Sequence, residues 1–248
     1  MFSLVLIINK NYRSLRQRMR QIAWTVSNGL IDYPVSLKKM KERVELIQSG
    51  DALEQIWLLQ HPPLYTAGTS AKPEDLFNAD RFPVFESGRG GQYTYHGPGQ
   101  RVIYLMLDLR HYRQDVRRYI SMLERWLINT LSNLDVEAKR IDDRVGIWVE
   151  IDQTGGERKF EKIGAVGVRI RRWVTSHGVS LNISPNLEHF SGIVPCGISD
   201  AGVTSLAKLK REIKIEKVDK ILKAEFLNVF GLQSEVTLVE EACQTLDC

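Results

Sequence analysis

The stretch that most restricts the fold is Phe160 to Cys196, FEKIGAVGVRIRRWVTSHGVSLNISPNLEHFSGIVPC. KIGAVGVRI alternates at period two, and VTSHGVSLNI is again rich in β-branched residues, with Arg171-Arg172-Trp173 between them suited to a turn. Two antiparallel strands follow from this. Strict alternation sends Ile163, Ala165 and Gly167 one way and Lys162, Gly164, Val166 and Val168 the other. A loop broken by Pro185 and Gly192 then ends in Pro195-Cys196-Gly197. Lys162 thus lies in a glycine-bearing strand and Cys196 on a tight turn. The two can meet only where the sheet folds that loop back over the first strand.

A meeting of lysine and cysteine has a chemical meaning. The thiolate is the nucleophile, and a neighbouring ammonium favours it over the thiol. A lysine drawn partly out of water beside it can also trade protons near neutral pH. Gly164 and Gly167 remove side chains from the strand, which suits a site where a ligand approaches the backbone. Against this, a lone cysteine is most often a small buried hydrophobe and a strand lysine is usually solvated. Spacing alone leaves both readings open.

A second stretch, Ser87 to Gln100, reads SGRGGQYTYHGPGQ. Its glycines reach conformations closed to other residues, while Arg89, Tyr93, Tyr95 and His96 are interleaved among them. It is neither a phosphate loop, since GxxxxGK(S/T) is absent, nor a dinucleotide fingerprint, since GxGxxG is not met. An ordinary glycine-rich hairpin would not need Arg, His and two Tyr, so a binding loop is expected.

The remaining chain supplies a scaffold. Ser36 to Gly50 is expected to be a helix with Ser36 as N-cap, and Glu54 to Gln60 a buried strand ending at His61-Pro62-Pro63. Phe82 to Glu86 reads as a short strand and Arg101 to Leu109 as a central strand covered on both faces. Asp115 to Leu134 is an amphipathic helix, and Val145 to Ile151 a strand joined by a turn at 152–156 to the central hairpin. Val203 to Lys210 and Val218 to Phe230 are expected to be helices, followed by a short, weakly patterned tail holding Cys243 and Cys248. No internal repeat or linker divides the 248 residues, and 43% apolar content is enough for a real core.

Bulk properties exclude some classes. No apolar run reaches the roughly 18 residues of a membrane helix. Three widely spaced cysteines with no CxxC pair oppose a disulfide scaffold or zinc cluster and suit a reducing compartment. No histidine has a second ligand at helical or hairpin spacing, so no metal is expected. His96 and His177 are candidates to line the site, and His61, His111 and His189 read as structural or exposed. A net charge of +4 permits an acidic partner without requiring one. The start is basic, with Lys10, Arg13, Arg16, Arg18 and Arg20 and no acidic residue before Asp32. That order is wrong for a secretory signal. It matches the composition of an organelle transit peptide, or an extension outside the fold.

HPPLYTAGTSAKPEDL, GRGGQYTYHGPGQ, KIGAVGVRIRRWVTSHGVSLN and the PCGI turn resemble the octanoyltransferases of lipoate biosynthesis, octanoyl-acyl-carrier-protein:protein N-octanoyltransferases. The resemblance runs from about Trp24 to about Gly231 and keeps the motifs in family order. It implies a biotin/lipoate protein ligase-like α/β (α+β) fold, a mixed, mostly antiparallel sheet flanked by helices. Residues 1–21 have no counterpart, which leaves 22–248 as a single catalytic domain. It implies Cys196 as acyl acceptor and Lys162 as its proton partner. It implies substrate contacts at Arg89, Gly90, Gly91, Gln92, Tyr93, Thr94, Tyr95, His96, Ala165, Val166, Gly167, Gly178, Val179 and Ser180. The implied partners are octanoyl-acyl carrier protein and lipoyl domains of 2-oxoacid dehydrogenase complexes and the glycine cleavage H protein, with no nucleic acid and no membrane. No resident cofactor is implied, because the substrate carries its own phosphopantetheine. The location implied is the cytoplasm, or the mitochondrial matrix if the basic start is a transit peptide. An ATP-dependent ligase of the same fold needs no nucleophilic cysteine, and a non-catalytic module would use Arg169, Arg171, Arg172 and the Arg113 to Arg118 cluster. Those are the alternatives.

Overall fold

A computed structural model describes residues 20–152, 158–194, 202–231 and 236–242. Its frame is one large mixed sheet. In chain order the strands are β1 (Arg20–Leu30), β2 (Glu54–Gln60), β3 (Leu64–Ala67), β4 (Val84–Glu86), β5 (Thr94–His96), β6 (Gln100–Met106), β7 (Lys139–Ile141), β8 (Arg144–Asp152), β9 (Arg158–Arg171), β10 (Val174–Asn182), β11 (Gly202–Val203) and β12 (Val236–Glu240). The large sheet runs β12-β1-β2-β6-β10-β9-β8-β7, with β11 attached to β9, and β4-β3-β5 form a small separate sheet. From β2 through β6, β10, β9 and β8 to β7 every pairing is antiparallel, whereas β1 pairs parallel with both β2 and β12. The expected mixed, mostly antiparallel sheet flanked by helices is therefore what forms.

Three helices cover it. α1 (Tyr33–Ser49) lies on one face over Trp57, Leu59, Val102, Tyr104 and Met106. α2 (Val116–Ser132) and α3 (Ile215–Phe230) cover the other, with Leu123, Trp126, Leu127, Leu222 and Phe226 all fully buried. Each such side chain contributes about 1.5–3 kcal/mol by leaving water. Asp115 caps α2 as expected, accepting a bond from the Arg118 N–H. α1 begins three residues before the expected Ser36. Asp32 is its N-cap and Pro34 sits in the first turn, where proline costs nothing because its missing N–H would have been unpaired. Ser36 instead donates its hydroxyl to the Tyr33 carbonyl at 2.7 Å.

Several expectations are corrected. Arg20 and Gln21, placed by sequence in an extension, open β1, and Arg20 lies opposite Val236. Val203 to Lys210 is not a helix: Val203 pairs with Lys162 in β11, and 206–210 are turns. The weakly patterned tail contains β12, an edge strand that the chain reaches only after α3. The turn expected at 152–156 falls largely outside the described residues, as do Cys196, Cys243 and Cys248.

The strict alternation expected along β9 is also broken, and this matters most for the site. Ile147 lies opposite Gly164, but the next residue, Trp148, lies opposite Lys162. Ile163 is thus one extra residue, a bulge. It joins the helix-covered core with Ile147. Lys162 instead shares a face with Trp148, and its ammonium stands over that ring at 4.8 Å from the centroid. Without the bulge Lys162 would face the same way as Gly164, opposite Leu181 in the α2/α3 core.

Candidate active site

A cleft of about 310 Å³ opens on the α1 face, between the glycine-rich loop and the β9–β10 hairpin. The loop lines it with Arg89, Gly90, Gly91, Gln92, Thr94 and His96. The hairpin lines it with Ala165, Val166, Gly167, Gly178, Val179 and Ser180. Two of the residues singled out by sequence, Tyr93 and Tyr95, turn away. Alternation along the strand sends them into a separate aromatic cluster with Tyr65 and Phe190.

Arg89 shapes the loop. It is buried, and its guanidinium donates to the carbonyls of Gly90, Thr66 and Gln92 at 2.9 Å and to the Thr66 hydroxyl at 2.7 Å. Five donors in a rigid fork suit this task, and no ammonium could reproduce it. Gly167 permits the approach, since a Cβ there would stand 3.0 Å from Arg89 Cδ. The loop is therefore braced from within, and Gly90 N–H closes onto the Val168 carbonyl of β9 at 3.0 Å.

Two histidines, His96 and His177, line the cleft, and a third, His61, packs against His96 and Tyr104. His61 bonds the Ile31 carbonyl through Nδ1 at 2.5 Å and the Tyr104 hydroxyl through Nε2 at 2.7 Å. The His96 ring is 5.8 Å from that of His61, and His177 meets the Tyr104 ring edge-on at 5.9 Å. Burial lowers His96 to about 3, with His61, Arg89 and His177 adding to the fall against the bond to Gln100. Burial likewise lowers His61 to about 4, and burial together with Arg89 lowers His177 to about 4. All three are neutral at neutral pH. Tyr33 is pushed up to about 12 by burial and stays a phenol.

Lys162 is 6% exposed. Its ammonium donates to the Val145 carbonyl at 2.9 Å and rests on Trp148. Gly146, at φ +130°, makes room, since a Cβ there would lie 2.7 Å from Lys162 Cε. Lys162 borders a narrow side cavity of about 10 Å³, the space of about one water. Thr94, Ala165 and Ser180 line both this cavity and the cleft. The backbone of Lys162 pairs with Val203, so the chain leaving segment 195–201 runs directly alongside it. Cys196 itself lies outside the described residues. Among the described residues no group of three metal-ligating side chains gathers, and no helix is long and apolar enough to cross a membrane.

Sequence reasoning missed Tyr33, Val102, Tyr104 and the Asp143-Arg144-Val145 corner, all of which line the cleft. Val102 and Tyr104 alternate on one face of β6, but with both faces of that strand covered nothing in the sequence tells which face meets the cleft.

The arrangement is an apolar slot floored by a strand pair, walled by neutral imidazoles and flanked by one buried ammonium. It can hold an acyl chain and manage protons at its inner end. The Lipoyl protein ligase A/B catalytic domain family matches residues 32–227. The chain is 50% identical over 214 residues to the octanoyltransferase of Bartonella henselae, covering 85% of this chain and 87% of that one. It is 54% identical over 210 residues to the octanoyltransferase of Paramagnetospirillum magneticum, covering 85% and 97%. Among solved structures, lipoate-protein ligase A bound with ATP superposes at a TM-score of 0.62, with 13% identity over 92% of this chain and 90% of that one. The bipartite lipoate protein ligase of Thermoplasma acidophilum gives 0.63 at 14% identity, over 92% and 88%. These two likenesses concern the fold, whereas the sequence identity carries the family. The chain belongs to the octanoyltransferase family, acyltransferases within the lipoyl protein ligase A/B catalytic domains.

Proposed function

We propose that this chain carries octanoate from acyl carrier protein to the ε-amine of a lysine on a lipoyl domain, through a thioester on Cys196. In the first half, Cys196 gives its proton to Lys162, the thiolate attacks the carrier thioester, the new C–S bond forms as the carrier's C–S bond breaks, and pantetheine leaves as a thiol with that proton. In the second, the lysine amine attacks the enzyme thioester, a C–N bond forms, the C–S bond breaks, and the amine gives up one proton as the Cys196 thiol is restored. Thioester exchange is nearly balanced and amide formation runs downhill, so neither step needs ATP or a resident cofactor.

The observation that carries this reading is the position of Lys162. It is a buried ammonium beside the slot, held by one carbonyl and one ring, with the chain that follows Cys196 paired against its backbone. In this reading it stabilises the thiolate and passes protons between thiol, leaving group and amine. The slot takes the alkyl chain, and each buried methylene contributes about 0.8 kcal/mol. The bacterial relatives support a cytoplasmic setting over a mitochondrial one.

Intact-mass spectrometry after incubation with octanoyl-acyl carrier protein is the test. An octanoyl adduct on the wild-type chain, absent from Cys196→Ala and discharged by a lipoyl domain, is the expected result. Modification of the lipoyl domain from free octanoate with ATP consumption would identify a ligase instead.

A further inference from the structure

His96 lines the slot and carries an acceptor, and the reason is a chain of hydrogen bonds that ends on backbone carbonyls. Asn182 Nδ2 donates to the Thr204 carbonyl at 2.9 Å. A carbonyl cannot donate, so this fixes the amide of Asn182 and turns its Oδ1 toward Gln100. Gln100 Nε2 then donates to that Oδ1 at 2.9 Å and to the Tyr95 carbonyl at 3.2 Å. Its own Oε1 is left facing His96 Nδ1 at 2.6 Å. That oxygen can only accept, so Nδ1 carries the hydrogen. The neutral ring has one N–H, and Nε2 is a bare lone pair.

All three side chains are buried, at 8% for His96, 1% for Gln100 and 5% for Asn182, so water does not compete for these bonds. The burial that keeps His96 neutral to about 3 keeps the lone pair available throughout the working range. His96 lines the slot, and Gln100 and Asn182 border the side cavity with Lys162. The same chain touches Lys162 directly, since the Thr204 N–H donates to the Lys162 carbonyl at 2.9 Å. An acceptor on the lining of an acyl slot needs a donor. The acyl chain has none and the thioester oxygen is itself an acceptor. Of the groups that arrive for the second half-reaction, the attacking amine is the one that brings N–H to the thioester.

We propose that His96 is a further catalytic residue of the second half-reaction, its Nε2 taking one N–H of the attacking amine and aiming the nitrogen lone pair at the acyl carbon. Gln100 and Asn182 are positioning residues that hold the ring in that tautomer. This rests on the acyl-enzyme reading above. The balance of that step is unchanged: the C–N bond forms, the C–S bond breaks, and the second amine hydrogen is the one that leaves as a proton to the restored thiol. The hydrogen held by His96 stays on the amide nitrogen.

The two halves can be timed separately on the full chain. Acyl-enzyme formation from octanoyl-acyl carrier protein is followed by intact mass, and discharge of the isolated acyl-enzyme by a lipoyl domain is followed the same way. His96→Ala should discharge the acyl-enzyme about 100-fold more slowly, the scale of a lost orienting contact on the attacking amine, and that loss should exceed any slowing of acyl-enzyme formation by at least tenfold. Gln100→Leu keeps the ring but unlocks it, and should slow discharge by at least tenfold with little effect on loading. Nitrogen NMR of histidine-labelled wild type, with the His96 signal assigned by its loss in His96→Ala or in His96→Gln, should show Nδ1 protonated and Nε2 bare. In Gln100→Leu the two tautomers should mix. A wild-type His96 protonated on Nε2, or discharge at the wild-type rate in His96→Ala, would overturn the proposal alone. A wild-type chain that never becomes acylated would overturn the reading beneath it as well. Should His96→Ala not fold, Gln100→Leu and the NMR tautomer decide.

Discussion

The ammonium of Lys162 sits 4.8 Å above the Trp148 ring centroid and 2.9 Å from the Val145 carbonyl oxygen, with the bulge at Ile163 turning it there. Among the described residues, one hydrogen-bond acceptor and one ring face hold the group in place and leave donor capacity unused. A Cys196 thiolate would fill it. Lys162→Ala should therefore slow acyl-enzyme formation by about 100- to 10,000-fold and move its pH dependence upward, toward the ordinary thiol near 8.5. Lys162→Arg should not rescue, because a guanidinium keeps its proton at every working pH. Cys196→Ala should give no adduct, and the double variant should be little worse than the worse single one. A Cys196→Ala chain that still became octanoylated would move the search to Cys243 or Cys248.

Gly146 offers a test that removes no reacting group. At φ +130°, with Lys162 Cε 2.7 Å and the Gly164 carbonyl oxygen 3.0 Å from where a Cβ would stand, Gly146→Ala must displace something. The lysine is the softer neighbour. Activity should fall at least tenfold, with a Tm drop of a few degrees from backbone strain, about 1–2 kcal/mol. An unchanged rate would mean that the exact seat of the ammonium does not matter.

Acid should loosen the fold through its histidines. His61, His96 and His177 titrate at about 4, 3 and 4 when folded and near 6.5 when unfolded. Between those limits the unfolded chain binds more protons, so stability rises with pH there and is lost as pH falls from about 6.5 toward about 4. Urea midpoints from pH 7.5 to 4.5 should trace that fall. His177 has a positive φ of 57°, a conformation asparagine tolerates, so His177→Asn should fold and flatten the slope. Equal slopes in both chains would remove His177 from the account.

The beginning of β1 also makes a prediction. Arg20 pairs with buried Glu54 at 2.6 Å and stacks on Tyr112, so removal leaves a buried carboxylate with less compensation. His111, at 3.6 Å from the same carboxylate, is a poorer substitute. A chain starting at Arg20 should keep activity and Tm, while Arg20→Ala should lose about 1–3 kcal/mol in denaturant melts. Equal stability of the two would show that the pair contributes nothing.

Carrier binding should weaken with salt. A groove of about 450 Å³, bordered by exposed Lys41, Arg169 and Arg171, shares His177 with the slot. An acidic carrier drawn to that rim is screened at high ionic strength. The Kd for acyl carrier protein should rise several-fold from 50 to 300 mM salt, over which the Debye length falls from about 14 to about 6 Å, and Arg169→Ala with Arg171→Ala should blunt the rise. A salt-independent Kd would remove the electrostatic account.

Much of this was legible in the residues. The period-two runs around Arg171-Arg172-Trp173 gave β9, β10 and their turn, because a buried hairpin leaves its alternation in the sequence. The glycine-rich loop gave most of one wall. What was hidden is what depends on partners far along the chain. The bulge at Ile163 is visible only against β8, and with it the side on which Lys162 stands. β12 shows little pattern because its half-exposed face needs none until β1 is beside it. Tyr33 opens α1 because Asp32-Tyr33-Pro34 supplies an N-cap and a first-turn proline ahead of Ser36, two start signals that compete in the sequence. The Asn182–Gln100–His96 chain joins β10 to β6 and β5, and no local pattern announces it.

The place of β12 has a consequence for synthesis. β1 is made before every other strand of the sheet, yet one of its two flanks is filled by residues 236–240, which come after all of the others in chain order. Until then a row of unpaired amides and carbonyls, from Arg20 to Trp24, stands open on a nascent chain whose other strands can already be paired. Completion of the sheet therefore waits until the chain beyond α3 has been made, and a message truncated after α3 would release a protein with a sticky border in place of a finished one.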